Sequence, residues 1–135
     1  MFEGEAMANR AGDWLRQAES DLAWAQDSLT GEHWSQVCFT CQQVGEKALK
    51  SIALSRGADE VRSHSILRIA EALAINGDLA KKARRLDQYY ISARYPDAYA
   101  EGAPFEYFGE EQAIEAVEFA HDFIERARAE LAIDE

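Results

Sequence analysis

One apolar stripe at helical spacing runs without a break through residues 33–56, and no other feature limits the possible folds as much. Its members recur every three or four positions, which is the period of one face of an α-helix. They are Trp34, Val37, Cys38, Cys41, Val44, Gly45, Ala48, Leu49 and Ile52. Gly57 follows as a C-terminal signal. The segment therefore predicts one long amphipathic helix.

Four more segments show the same periodicity, and they predict helices over residues 9–30, 65–75, 79–93 and 110–132. Only 2 prolines and 8 glycines interrupt the 135 residues, and no segment alternates like a strand. Because Pro96 cannot continue the fourth helix, residues 95–109 are expected to form an aromatic loop. The predicted fold is all-α. It is an antiparallel up-and-down four-helix bundle with one additional short helix, in a single domain over residues 1–135.

The charge is unevenly distributed along the chain. The net charge is −11, yet residues 47–94 hold ten basic and five acidic residues, a net of +5. A uniformly acidic surface would repel nucleic acid and anionic membrane. The positive middle segment allows two interpretations. Either it faces an anion, or the basic and acidic helices complement one another within the bundle.

The sequence also gives an expectation for the compartment. No apolar run approaches the roughly 20 residues that span a membrane. The first ten residues, MFEGEAMANR, lack the apolar region of a signal peptide. With two cysteines and no export signal, a cytoplasmic protein without membrane association is expected.

Cys38 and Cys41 stand at C-x-x-C spacing, which is compatible with a metal site, a redox pair or core packing. Zinc needs four ligands, and no histidine stands at a recognisable ligand spacing. Side chains three apart on a helix are roughly 5–6 Å apart at Cβ, wider than a relaxed disulfide. We predict that both cysteines pack in the core as small apolar groups, with no metal and no cofactor.

The candidate binding residues come from two polar stretches and one histidine. Beside the stripe stand Gln42, Gln43, Glu46, Lys47 and Lys50, and one glutamine must turn toward the edge of the stripe, where its amide needs partners. In SARYPDAY, Arg94 either grips a phosphate, hydrogen-bonds the last carbonyls of its helix, or pairs with Asp97 or Glu46. Tyr95 and Tyr99 either stack on a base or fill the end of the bundle. The candidate ligand-binding set is Gln43, Glu46, Lys47, Lys50, His64, Arg94, Tyr95 and Asp97.

Taken together, these stretches resemble the HEPN family of small helical domains over nearly the whole chain. The similar pieces are Cys38-Phe39, Gln42-Gln43, Glu46 to Lys50, Gly57, His64-Ser65-Ile66, Leu86-Asp87 through Tyr90, and Arg94 to Asp97. The resemblance implies a helical bundle that often forms homodimers. It also implies a binding module that acts with a nucleotidyltransferase partner and binds a nucleotide.

Other members of that family are metal-independent ribonucleases or toxins, whose site is an arginine followed four to six residues later by a histidine. Here seven residues separate Arg56 from His64, and one separates Arg62 from His64. No catalytic residue is therefore predicted. The alternatives to a binding module are a ribonuclease toxin that uses His64 with Arg62 or Arg94, and a ligand-free antitoxin or scaffold dimer.

Overall fold

The computed structural model describes residues 10–134, and every regular element among them is helical. The α-helices are α1 (Arg10–Ser28), α2 (Trp34–Ser55), α3 (Ile66–Ala72), α4 (Asp78–Asp87), α5 (Tyr89–Ser92) and α6 (Glu110–Asp134). Two single-turn 3₁₀ helices cover Pro96–Ala98 and Pro104–Glu106. The all-α prediction is confirmed, whereas the predicted start of the first helix at residue 9 lies outside the described residues. Within that range, no helix combines the length and apolarity needed to cross a bilayer.

The central element is α2, because 14 of its 22 residues are buried. Helices α1 and α6 pack along it on two sides, and α3 approaches it closely at Gly45. A Cβ atom at Gly45 would lie 2.7 Å from Cδ1 of Ile66, so a larger residue would require the Ile66 side chain to shift. The stripe predicted over residues 33–56 is thus one uninterrupted helix, and Cys38 and Cys41 are free thiols fully buried within it.

Contacts between side chains give the directions of the four main helical segments. Helix α2 runs opposite to α1, the α4–α5 segment runs opposite to α2, and α6 runs opposite to α4. This order is consistent with the predicted up-and-down bundle, and α3 corresponds to the additional short helix. The contacts that show it are Lys47–Asp21 with Lys50–Trp14, Gln42–Asp87 with Phe39–Tyr90, and Lys82–Asp122 with Arg85–Glu115.

Three predicted segments differ from the structure by more than two residues or in kind. The helix expected over residues 79–93 is divided into α4 and α5 by a tight turn at Gln88, whose N–H donates to Arg85 O at 3.2 Å. The helix expected over residues 65–75 ends earlier, at Ala72. The region expected to be a loop, residues 95–109, contains the two 3₁₀ turns, and each begins at a proline because proline fixes φ near the helical value.

Candidate functional site

A row of polar side chains is buried on α2, spaced four residues apart and therefore on one side of the helix. Gln42, Glu46 and Lys50 are 0%, 4% and 7% exposed. Lys50 Nζ donates to Glu46 Oε2 at 2.7 Å and lies 5.4 Å from the centroid of the Trp14 ring. The ion pair is thus removed from water, and the aromatic ring adds a second favourable contact for the cation.

Glu46 also contacts His64, which lies in the segment before α3. The same oxygen, Oε2, lies 3.2 Å from His64 Nδ1. Because a carboxylate only accepts hydrogen bonds, Nδ1 is the donor in this contact, and Nε2 takes no part in it. The His64 side chain is 62% exposed, and its ring stacks on Tyr90 at 5.7 Å between centroids and 14° between planes. A buried acid therefore orients an exposed imidazole.

Asp87 at the end of α4 joins this polar row to α3. Its carboxylate accepts from Ile66 N at 2.8 Å, from Leu67 N at 3.0 Å and from Ser65 Oγ at 2.8 Å. It also accepts from Gln42 Nε2 at 3.2 Å. A negative charge against the first N–H groups of a helix satisfies donors that otherwise have no partner. Asp87 thus fixes the segment that carries His64.

Arg94 follows α5 and is surrounded by aromatic rings. Its Cζ lies 4.3 Å from the ring centroid of Phe39 and 4.7 Å from those of Tyr90 and Tyr95. Its Nε donates to Tyr90 O at 2.8 Å, and Nη1 donates to Tyr95 Oη at 3.3 Å. No carboxylate within residues 10–134 forms an ion pair with it. The guanidinium is therefore oriented by rings and neutral oxygens, and it keeps its charge uncompensated.

Arg94 lines a surface groove of about 480 Å³ between α2 and the second 3₁₀ turn, here named the Arg94 groove. Its lining consists of Ser35, Gln36, Phe39, Thr40, Ala93, Arg94, Pro104 and Phe105. Arg94 is the one charged residue among them, and the Phe105 side chain is 68% exposed. A second groove of about 320 Å³ shares Phe39 and Thr40 with the first and extends toward Trp24 and Lys47.

The structure divides the predicted ligand-binding residues into groups. Gln43, Glu46, Lys50 and His64 form one connected cluster. Arg94 and Tyr95 form a second cluster, which Tyr90 connects to the first because it contacts both His64 and Arg94. Two predicted residues lie apart from both clusters: Lys47 pairs with Asp21 of α1, and Asp97 is exposed in the first 3₁₀ turn.

Sequence reasoning did not assign a binding role to Phe39, Tyr90 or Phe105. One signal for Tyr90 was available, since it stands four residues before Arg94 near the end of the helix predicted over residues 79–93, a spacing that brings side chains together. Phe39 lies on α2, and its contact with Arg94 depends on how α2 packs against α5. Phe105 carries no periodic signal, because it belongs to a single turn after a proline.

The two cysteines take no part in this site. Burial raises the pKa of the Cys38 thiol to about 12, and it raises the pKa of Cys41 still further, with Cys38 as the second cause. Both thiols are therefore protonated at neutral pH, and their predicted role in the core is confirmed. In the described part of the chain, no group of three or more His, Cys, Asp or Glu side chains is placed to hold a metal ion.

Comparison with known proteins agrees with the all-helical fold and identifies the family. A family model described as the HEPN domain matches residues 11–130. The chain is similar to TT1696 from Thermus thermophilus, with 36% identity, a TM-score of 0.82, and coverage of 90% of this chain and 98% of that one. It is also similar to ST0689, described as an archaeal HEPN homologue, with 35% identity, a TM-score of 0.74, and coverage of 89% and 96%. No curated protein matches. Because the family model spans most of the chain and both structures are more than 30% identical over nearly all of it, the chain belongs to the HEPN domain family.

Proposed function

We propose that this HEPN domain is a binding module that holds the phosphate of a nucleotide in the Arg94 groove. We propose further that it works as a homodimer together with a nucleotidyltransferase partner. The observation that carries the nucleotide part is the unpaired charge of Arg94. Among the described lysines and arginines, all but Lys81, Arg84 and Arg94 form an ion pair, and Arg94 alone of these three is half-buried and lines a groove.

The chemistry of Arg94 suits a phosphate. A guanidinium has five N–H donors, and Arg94 uses one on Nε and one on Nη1. Three N–H groups remain, including both on Nη2, so the outer edge can bind two phosphate oxygens at once. The rings of Phe39, Tyr90 and Tyr95 hold the plane of the guanidinium in place, which reduces the entropy lost on binding.

Calorimetric titration tests the nucleotide part, with nucleoside mono-, di- and triphosphates added to the protein alone and with its nucleotidyltransferase partner. We expect Arg94→Gln to abolish the heat of binding. The matched control is Arg84→Gln, which removes an equally unpaired but exposed charge on α4 and should leave binding unchanged. Absence of heat with every nucleotide, alone and with the partner, would contradict the proposal and favour a ligand-free scaffold.

The homodimer part is supported by Trp24 on α1, which is 48% exposed and lines the second groove. A large apolar side chain exposed at a groove is typical of an association surface. We expect Trp24→Glu to yield monomers in sedimentation velocity, while Ile114→Glu at another exposed apolar position leaves the dimer intact. A monomeric native protein at micromolar concentration would overturn this part.

The nucleotidyltransferase part is supported by family membership alone. Co-expression with a minimal nucleotidyltransferase encoded beside this chain should give a complex that stays together on gel filtration. Separate elution of the two proteins at micromolar concentration would count against the partnership.

A second candidate function is ribonuclease activity, and one observation favours it. His64 is held by buried Glu46 through Nδ1, which leaves Nε2 free as a base, and Arg94 lies on the same Tyr90 ring. Incubation with total RNA in EDTA separates the two functions. Cleavage that is lost in His64→Ala and kept in His121→Ala, a control at an exposed histidine on α6, would favour the enzyme. Intact RNA would exclude this candidate.

A further inference from the structure

We infer that the Arg94 groove selects a nucleotide that carries a single phosphate group and discriminates against nucleoside di- and triphosphates. This inference rests on the proposed nucleotide-binding function and adds the class of ligand. It follows from the number of free charges at the groove, from the charges around it, and from the side chains available to a base.

The groove offers one cation. Of the eight lining residues, Arg94 alone is charged. The two lysines nearest along α2 are already neutralised, since Lys47 pairs with Asp21, and Lys50 is buried against Glu46. A terminal phosphate carries a charge of about −1.5 to −2 at neutral pH, so one guanidinium and a few hydrogen bonds suffice for one phosphate only.

Two exposed acidic residues stand close in the chain to residues that line the groove, and their charges oppose further phosphates. Asp97 stands three residues after Arg94, and Glu106 directly follows Phe105; both are exposed. The chain as a whole carries a net charge of −11. Each further phosphate adds negative charge without gaining a cation, and at low ionic strength these repulsions act over the dimensions of the groove.

The rest of the groove suits the base and the sugar of a nucleotide. The ring of Phe39 is occupied by Arg94, whereas the Phe105 side chain is 68% exposed and available for stacking. Ser35 Oγ donates to Gln36 Oε1 at 3.1 Å, which leaves the Gln36 amide nitrogen as a donor, and Thr40 adds a hydroxyl. A volume of about 480 Å³ lies within the range of roughly 300–1,000 Å³ that is usual for small-molecule sites.

Calorimetry in EDTA at 50 mM salt with AMP, ADP, ATP and inorganic phosphate tests the inference, because EDTA prevents Mg²⁺ from supplying the missing charge. We expect AMP to bind most tightly, with affinity falling roughly two- to threefold for each added charge. Raising the salt to 300 mM should reduce the difference between AMP and ATP, since the repulsion is screened. Phe105→Ala should weaken AMP and leave phosphate unchanged, whereas Arg94→Gln should remove both.

The possible outcomes separate this inference from the proposed function. ATP that binds as tightly as AMP in EDTA, or more tightly, overturns the single-phosphate selection and leaves nucleotide binding intact. AMP that binds no more tightly than inorganic phosphate, or that still binds to Arg94→Gln, overturns the assignment of the groove. Absence of binding by all four ligands overturns the inference together with the proposed function.

Discussion

Glu46 uses one carboxylate oxygen to hold two neighbours, Lys50 at 2.7 Å and His64 at 3.2 Å, in a place where its side chain is 5% exposed. Removing two charges from water is unfavourable, so the pair adds little net stability while it is complete. Removing one partner is different, because the remaining charge then stays buried without compensation. The stability of α2 is therefore sensitive to either member of this pair.

We predict that Glu46→Gln lowers the free energy of unfolding by about 3 kcal/mol, as expected for one broken member of a buried pair. The measurement is urea denaturation followed by circular dichroism. Glu71→Gln is the control, since it breaks the exposed Arg68–Glu71 pair and should change stability by less than about 1 kcal/mol. Combining Glu46→Gln with Lys50→Met should recover most of the loss. If Glu46→Gln and Glu71→Gln lower the free energy of unfolding by the same small amount, the Glu46–Lys50 pair is not desolvated.

The cysteines make a second prediction at this scale. With the pKa of Cys38 raised to about 12 and that of Cys41 raised beyond it, both are protonated and inaccessible in the folded protein. We expect a thiol reagent such as DTNB to label neither at pH 8 in the native state, and to label both within minutes in urea. Rapid labelling without denaturant would mean that α2 opens locally or that the cysteines are not in the core.

The sequence predicts the burial of the two cysteines, and of one glutamine at the edge of the stripe, better than it predicts the burial of Glu46 and Lys50. The apolar period of α2 places Cys38 and Cys41 on the stripe without reference to any other segment. Glu46 and Lys50 lie at the edge of that stripe, and whether an edge position is covered depends on Trp14 of α1 and on the segment around His64. Those contacts connect residues far apart in sequence, so the local pattern could not reveal them.

At the scale of single elements, α3 depends on a residue of α4. Seven residues are too few for a helix to be stable alone, and the first turn of α3 receives its partners from two side chains. Ser65 Oγ accepts from Arg68 N at 3.1 Å, and Asp87 accepts from the N–H groups of Ile66 and Leu67. The carboxylate of Asp87 thus determines where α3 begins.

We predict that Asp87→Asn destabilises the protein by about 2 kcal/mol, because an amide has one acceptor oxygen where the carboxylate has two. Amide hydrogen exchange should become faster at Ile66, Leu67 and Ile69 before it changes in α2. Asp27→Asn, at an exposed position near the end of α1, is the control and should alter neither quantity. Unchanged exchange in α3 would mean that Ser65 alone suffices as the cap.

The same long-range contacts explain why the helix predicted over residues 79–93 is divided. No proline or glycine stands between α4 and α5 to mark a break. The turn at Gln88 lies between Asp87, which is fixed by α3, and Tyr89, whose buried ring packs edge-to-face on Phe108 at 5.5 Å. Both constraints come from outside the segment, so its own periodicity predicted a continuous helix.

At the scale of the whole molecule, the uneven charge of the sequence is largely compensated between helices. The basic middle segment, residues 47–94, pairs with acidic residues of α1 and α6. These pairs are Lys47–Asp21, Arg56–Glu130, Lys82–Asp122 and Arg85–Glu115. Of the two interpretations that the sequence allowed, pairing between complementary helices accounts for most of the net charge of +5 on residues 47–94. Arg94 remains as the half-buried exception, and its isolation could not be read from composition because it depends on which carboxylates each helix meets.

The pair between Arg56 and Glu130 joins the end of α2 to the end of α6, and it makes the stability of the bundle depend on pH. Hydrogen bonds from Arg56 and Arg126 lower the pKa of Glu130 below its ordinary value of 4.5. A carboxyl whose pKa is lower in the folded than in the unfolded state contributes stability above the unfolded pKa, and that contribution is lost as the pH falls through the folded pKa.

We predict that Glu130→Gln is less stable than the native protein by up to about 1 kcal/mol at pH 7. Urea midpoints at pH 7, 5, 4 and 3 should show this difference constant down to about pH 5 and shrinking below 4.5. Glu60→Gln, which removes the exposed partner of Arg62, should track the native protein at every pH. A difference that stays constant or grows in acid would show that Glu130 contributes through packing and not through its charge.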